Sequence, residues 1–310
     1  MGTNKSADIR EYFAVMLMGL FFVVIIGLAL VFTYIFNKAN INMKAFENPD
    51  DPLNIVLILV IMLVFTITIL VIAKYWKAKV IKYLILGAIG YTSFYVLYPL
   101  LKFIIPEKSG VLPMMFSIIL SIILVWVLVK YPEWYVIDLC GVIVGAGAIA
   151  IFGISLGVLL VLILLIILAI YDAISVYKTK HMIDLADTVM DLKLPVLLVV
   201  PKIRHYSLIK ETKRLKEKLK DGDERDAFFM GLGDVVMPGI LVVAAYISSN
   251  NDLVLAFSVL FGTLVGFAIL MIFVMKGKPQ AGLPCLCGGA IAGYLISGLI
   301  REIKEKGLWL

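Results

Sequence analysis

The chain is 310 residues long, 62% hydrophobic and only 16% charged, where globular domains run at about 45–50% apolar and about 25% charged. These proportions exclude a soluble domain, a disordered chain and a disulfide scaffold, and the long apolar runs mark an integral membrane protein. The net charge of +6 sits mostly in short loops between apolar runs, which is how membrane topology is encoded, so no nucleic-acid partner is expected.

A bilayer core about 30 Å thick takes roughly 20 apolar residues per helix. Cutting the sequence at its charge clusters predicts nine spans: 12–36, 53–73, 81–101, 111–129, 135–153, 156–177, 227–247, 253–275 and 281–300. The first run begins at Tyr12 and is too long for a secretory signal, so it reads as a retained span. Only the Gly153–Gly157 stretch separates the fifth and sixth spans, which should form a tight hairpin. The long loop 178–226 divides into three parts. His181 to Asp191 fits an amphipathic helix, and Tyr206 to Arg225 fits a charged, solvated one. Between them lies Leu194-Pro195-Val196-Leu197-Leu198-Val199-Val200-Pro201. That run is too short to span and rich in β-branched residues, so it reads as extended or interfacial. The expected fold is all-α: one polytopic bundle over 1–310, with spans one to six in 1–177, a cytoplasmic loop 178–226 and spans seven to nine in 227–310.

Lys and Arg set the orientation. With the N-terminus inside, the inside segments hold most of the basic residues. The loop 178–226 carries the largest share, and Lys74, Lys77, Lys79 and Lys82 after the second span agree with it. An odd number of spans then leaves the C-terminus outside. Small residues recur four apart at Gly141/Gly145, Gly153/Gly157, Gly262/Gly266 and Gly289/Gly293, a spacing that lets helix backbones approach closely inside a bundle. Cys140, Cys285 and Cys287 lie in apolar runs and read as small buried hydrophobes.

Four formal charges fall within the spans: Lys82, Asp138, Asp172 and Asp234. Lys82 can snorkel to the surface. Asp138 reads as an interfacial or helix N-terminal acid. Asp172 and Asp234 are different. They lie on two antiparallel spans flanking the same loop, each roughly 8–10 Å in from the same side at the helical rise per residue. An ionised carboxylate there costs several kcal/mol, so the default is a functional role facing the bundle interior. If the two meet, like-charge repulsion keeps a proton on one of them. That state suits aspartic protease chemistry, in which one carboxylate takes a proton from water and the other polarises the scissile carbonyl. Paired intramembrane acids also serve proton- or cation-coupled transporters and leak channels, so the residues alone leave both readings open. Transport would favour broken helices in two matching repeats, and no clear repeat is present. The only histidines, His181 and His205, lie in the soluble loop outside any His-Glu-x-x-His run. This removes a zinc protease of that class and a membrane-embedded Ser–His dyad. Neither a metal nor another cofactor is expected.

Tyr171-Asp172 in one span and Gly231-Leu232-Gly233-Asp234 in the next resemble the presenilin and signal-peptide-peptidase family of GxGD intramembrane aspartyl proteases, most of all its archaeal homologues. The resemblance covers nearly the whole chain. The family's third motif, Pro-Ala-Leu-Pro at the start of the ninth span, is matched by Ala281-Gly282-Leu283-Pro284, with Leu283 and Pro284 kept. The resemblance implies Asp172 and Asp234 as catalytic residues, and transmembrane helices of other proteins in the lipid bilayer as substrates. It implies Tyr171, Gly231, Leu232, Gly233, Leu283 and Pro284 as substrate-binding positions. It also implies a multi-pass location, in an archaeal plasma membrane, and leaves room for a homo-oligomer. A helical substrate hides its peptide bonds and must unwind, so Pro195–Pro201, through Leu197 and Val199, is a candidate edge for strand pairing with it. A prepilin-type GxGD peptidase is a third reading, distinguished by cutting near the membrane surface.

Overall fold

The structure, a computed structural model, describes residues 3–39, 44–75, 78–105, 110–179, 197–202, 227–275 and 280–305. Among these residues are nine α-helices: α1 (Thr3–Lys38), α2 (Leu53–Tyr75), α3 (Ala78–Ile104), α4 (Val111–Lys130), α5 (Trp134–Ser155), α6 (Val158–Ile174), α7 (Leu232–Ser248), α8 (Leu253–Met275) and α9 (Gly282–Glu305). A π-helical turn, Ser175–Thr179, extends α6. Two strands, β1 (Leu197–Pro201) and β2 (Ala227–Gly231), form an antiparallel pair. The helices predicted at His181–Asp191 and Tyr206–Arg225, both histidines and Pro195 lie outside the described residues.

Seven of the helices are long and apolar enough to cross a membrane; the apolar part of α2 (Leu53–Ile69) and α7 are shorter. The apolar runs turn their side chains outward where a soluble protein could not. Val56, Leu57, Val60, Ile61, Leu63 and Val64 of α2 are all exposed, as are Met114, Met115, Phe116 and Ile122 of α4. Continuous apolar surface on this scale marks contact with lipid.

The interior is organised by one stripe of α5. Asp138, Gly141, Gly145, Ile149 and Gly153 recur three or four apart and share a face. Leu198 of β1 lies over Gly141, and Leu232 lies over Gly141 and Gly145. Ile149 fills the notch at Gly239 of α7, and Gly153 receives Val243. The stripe thus follows β1 and then α7 along most of its length. The small residues are needed because a side chain at Gly145 or Gly153 would occupy the space of Leu232 or Val243.

A second contact fixes α9. At Gly262 and Gly266 of α8, an added Cβ would strike the backbone of Gly289 and Cys285; at Gly289 and Gly293 it would strike Gly262 and Ser258. The two helices therefore touch backbone to backbone, the arrangement small-residue spacing permits. At the other end of the bundle the α5–α6 link is two residues, Leu156 and Gly157. The 44–52 segment is tied to it there. Gly157 N–H donates to the Pro49 carbonyl at 2.9 Å, and Ala45 N–H to the Ser155 hydroxyl at 2.7 Å.

Two sequence expectations are corrected. The apolar run 227–247 is not one helix: its first five residues are β2, and α7 begins at Leu232. Asp234 therefore sits in the first turn of its helix, not two turns in. The alternating burial of Ala227–Gly231 is satisfied on both faces, since Phe228 and Met230 join the main core while Phe229 packs on the cluster around Ile81, Leu128 and Cys140. Apolarity alone does not separate such a strand from a helix. Asp138, read as an interfacial or helix N-terminal acid, lies near the start of α5 but is not a solvent-facing acid. It is 3% exposed and its carboxylate accepts the Val199 N–H at 2.8 Å.

Gly289→Leu should force α8 and α9 apart. Overpacking of this kind costs about 1–3 kcal/mol, so the variant should melt several degrees below the parent in a detergent thermal-shift measurement, whereas Gly288→Leu, with no atom in the way, should melt with it.

Candidate active site

Asp172 lies in the last turn of α6 and is 3% exposed. Asp234 lies in the first turn of α7, directly after β2. The third element is the N-terminus of α9. Its Leu283 N–H donates to Asp172 Oδ2 at 3.0 Å. The preceding residue, Gly282, faces the other acid: a Cβ there would stand 2.9 Å from Asp234 Oδ2 and 3.2 Å from its Cγ. Two adjacent backbone units of α9 therefore meet both carboxylates, and the acids lie within electrostatic reach of each other.

Each contact has a local cause. The first N–H groups of a helix have no partner within it, so Leu283 has a donor to spare at the start of α9. Pro284, one residue further, needs none, and its ring suits the first turn. Gly282 carries no side chain, which lets α9 approach Asp234. Pro238, four residues after Asp234 in α7, cannot donate to the Asp234 carbonyl, so the first turn of α7 lacks one of its ladder bonds. The fully buried Cys287 is one turn along α9 from Leu283 and within electrostatic reach of both acids. Among the described residues no cluster of His, Cys, Asp and Glu could hold a metal ion.

The remaining predicted positions separate. Gly231 lies against the Asp234 carboxylate, its Cβ position 3.6 Å from Oδ2. Gly233 faces open space. Leu232 points away from the acids onto the α5 stripe, where it fixes the segment. Tyr171 is 64% exposed beside its buried neighbour Asp172. Leu197 is half-buried and Val199 is 2% exposed, with its N–H held by Asp138.

The family described as "Signal-peptide peptidase, presenilin aspartyl protease" matches residues 18–303. The chain belongs to that family. Two solved structures carry the descriptions "Structure of a presenilin family intramembrane aspartate protease" in C222 and in P2 space groups. The first is 32% identical with a TM-score of 0.67, covering 92% of this chain and 99% of its own. The second is 33% identical with a TM-score of 0.66, covering 91% and 96%. No curated protein matches in a sequence search. This presenilin-family chain is thus a multi-pass membrane protein and an aspartic endopeptidase of the intramembrane class.

Within the family frame, the altered third motif has a physical reading. Where the family's Pro-Ala-Leu-Pro has alanine, this chain has Gly282, and the contact to Asp172 is made by the backbone of the retained Leu283. The departure leaves in place the group that touches Asp172 and removes a methyl from the position that lies against Asp234. Two features of the site emerge only in the structure: Gly282 lies against Asp234, and Asp138 holds β1. The signal for the second was present, as a third acid in an apolar run.

Gly282→Val should push the Asp234 carboxylate out of place. Because displacements near 1 Å can cost about 100-fold in rate, cleavage of a membrane-helix substrate should fall by roughly that factor, with the melting temperature near that of the parent.

Proposed function

We propose that this protein hydrolyses peptide bonds within transmembrane helices of other membrane proteins, using a water activated between Asp172 and Asp234. The observation that carries the reading is the convergence of both carboxylates on Gly282 and Leu283. In the proposed reaction the ionised carboxylate takes a proton from water as the oxygen attacks the scissile carbonyl. The protonated partner gives its proton to the carbonyl oxygen, forming a neutral diol. Collapse of the diol breaks the C–N bond: the carboxyl that took the water proton gives it to the leaving amine, and the other carboxylate takes a diol proton, which restores the starting state. The Leu283 N–H fixes one oxygen of Asp172, so that the other lone pairs are aimed at water and at Asp234.

The substrate must open its helix to expose a carbonyl. The sheet offers an edge for the opened segment, and the β2 side fits better than the β1 side first considered. In an antiparallel pair each residue turns both its polar backbone groups either to its partner or away from it. Val199 N–H points to Asp138, so Val199 faces outward from β1; Pro201, two residues on, has no N–H. The outer edge of β1 is therefore closed to a new strand. Phe229, paired with Val199, turns its N–H and carbonyl outward from β2, and that edge leads through Gly231 and Gly233 to Asp234. A strand added there would be carried toward the acids. Gly231 and Gly233 would admit its backbone, with Leu283 and Pro284 beyond the carboxylates and Tyr171 at the lipid-facing rim.

The proposed topology has nine spans, with α2 and α7 as the two short ones. The N-terminus lies on the cytoplasmic side of the cell membrane and the C-terminus on the other.

Asp172→Ala and Asp234→Ala should each abolish cleavage of a membrane-helix substrate in liposomes, and a peptide mimic with a hydroxyl at the scissile position should inhibit the parent. Full activity in either variant would end the proposal. Product masses locate the cut: an interior bond supports the proposal and a bond at the membrane surface supports prepilin-type cutting. Ion flux in sealed vesicles without a cut product would support the transporter reading instead.

A further inference from the structure

We propose that Asp138 is a positioning residue for proteolysis: by holding the Val199 N–H it sets the register of β1, and through β2 the place of Asp234. The inference rests on the two-aspartate reading and extends it to a third acid with no part in the chemistry.

Asp138 sits near the start of α5, 61 residues before Val199 in sequence. Its Oδ1 accepts the strand N–H, while Oδ2 is buried and has no hydrogen-bond partner among the described residues. A half-satisfied buried carboxyl is costly, so the site retains it against a stability penalty. What it gains is a fixed point. The β1–β2 pair is short and has apolar residues on both faces. Slippage is poorly resisted in a ribbon whose two faces are alike. The outer edge of β1 carries the N–H groups of Leu197 and Val199 but none at Pro201. Asp138, rooted on a rigid helix, selects one of them.

The selection propagates. Val199 pairs with Phe229, and Asp234 follows Phe229 by five residues. A slip of one residue would move β2 by about 3.3 Å, more than the contact between Gly282 and Asp234 tolerates. The same α5 stripe holds Leu198 one turn on from Asp138, and Leu232 between Gly141 and Gly145. Strand and motif are thus indexed against one helix. The requirement is for an acceptor at Oδ1, not for a charge, so asparagine should serve.

The experiment joins hydrogen exchange with product mapping on the full-length protein in detergent. Asp138→Asn should keep amide protection across residues 198–200 and cut the same bond as the parent. In Asp138→Leu the protection should fall about tenfold, the worth of one hydrogen bond. Its kcat should fall by up to about 100-fold, with KM little changed and the cut spread over neighbouring bonds. Asp138→Glu, which keeps the carboxylate but moves it outward, reads the register if the Leu variant does not fold; it should lower kcat and shift the cut. Parental protection and cut pattern in the Leu variant, parental cutting in the Glu variant, or loss in Asn equal to that in Leu would each overturn the proposal. Exchange is measured without turnover, so the anchoring is tested even if the two-aspartate reading fails.

Discussion

The backbone of α9 at Gly282 and Leu283 is the point on which the proposed catalytic arrangement depends. Two acids in an apolar bundle repel each other and resist burial. Something must hold them near each other, and it cannot be a basic side chain, which would neutralise the chemistry. Here a neutral peptide unit does so. The Leu283 N–H binds Asp172, and bare Gly282 lies against Asp234. The rest of the bundle serves that placement. The glycine contact with α8 seats α9, and the α5 stripe seats β1, Leu232 and α7.

Strands are rare in the lipid-embedded part of a helical protein because an unpaired edge exposes polar groups that lipid cannot satisfy. The β1–β2 pair meets that constraint in three ways. Its strands satisfy each other, its faces are covered by two apolar clusters, and the β1 edge is closed by Asp138 and by a proline. The remaining edge on β2 leads into the active-site segment. A strand edge beside the proposed catalytic centre fits a substrate that must itself present a backbone.

Much of this was legible in the sequence. Long apolar runs gave the helices, and acids inside them drew attention to Asp172 and Asp234, since a charge in lipid is expensive enough to demand a reason. The strand at Ala227–Gly231 was not legible, because an apolar run buried on both faces has no period that separates strand from helix. The contact of Asp138 was hidden for a related reason. Its position near a helix start suited an interfacial acid, and its partner, Val199, is distant in sequence. The role of Gly282 was hidden because it acts by lacking a side chain. The Leu283 contact uses backbone, which a sequence does not vary.

The apolar layer beyond the acids has an electrical consequence. Ile149 and Leu241 are buried and lie past Asp234 along α5 and α7, and the 44–52 segment is tied to the α5–α6 link at the far end. In the proposed reaction, water drawn to the carboxylates would meet this packed layer before the far side. The membrane would then stay a capacitor while the proposed hydrolysis proceeds within it, so a water-consuming reaction could sit in the insulator without discharging the voltage across it.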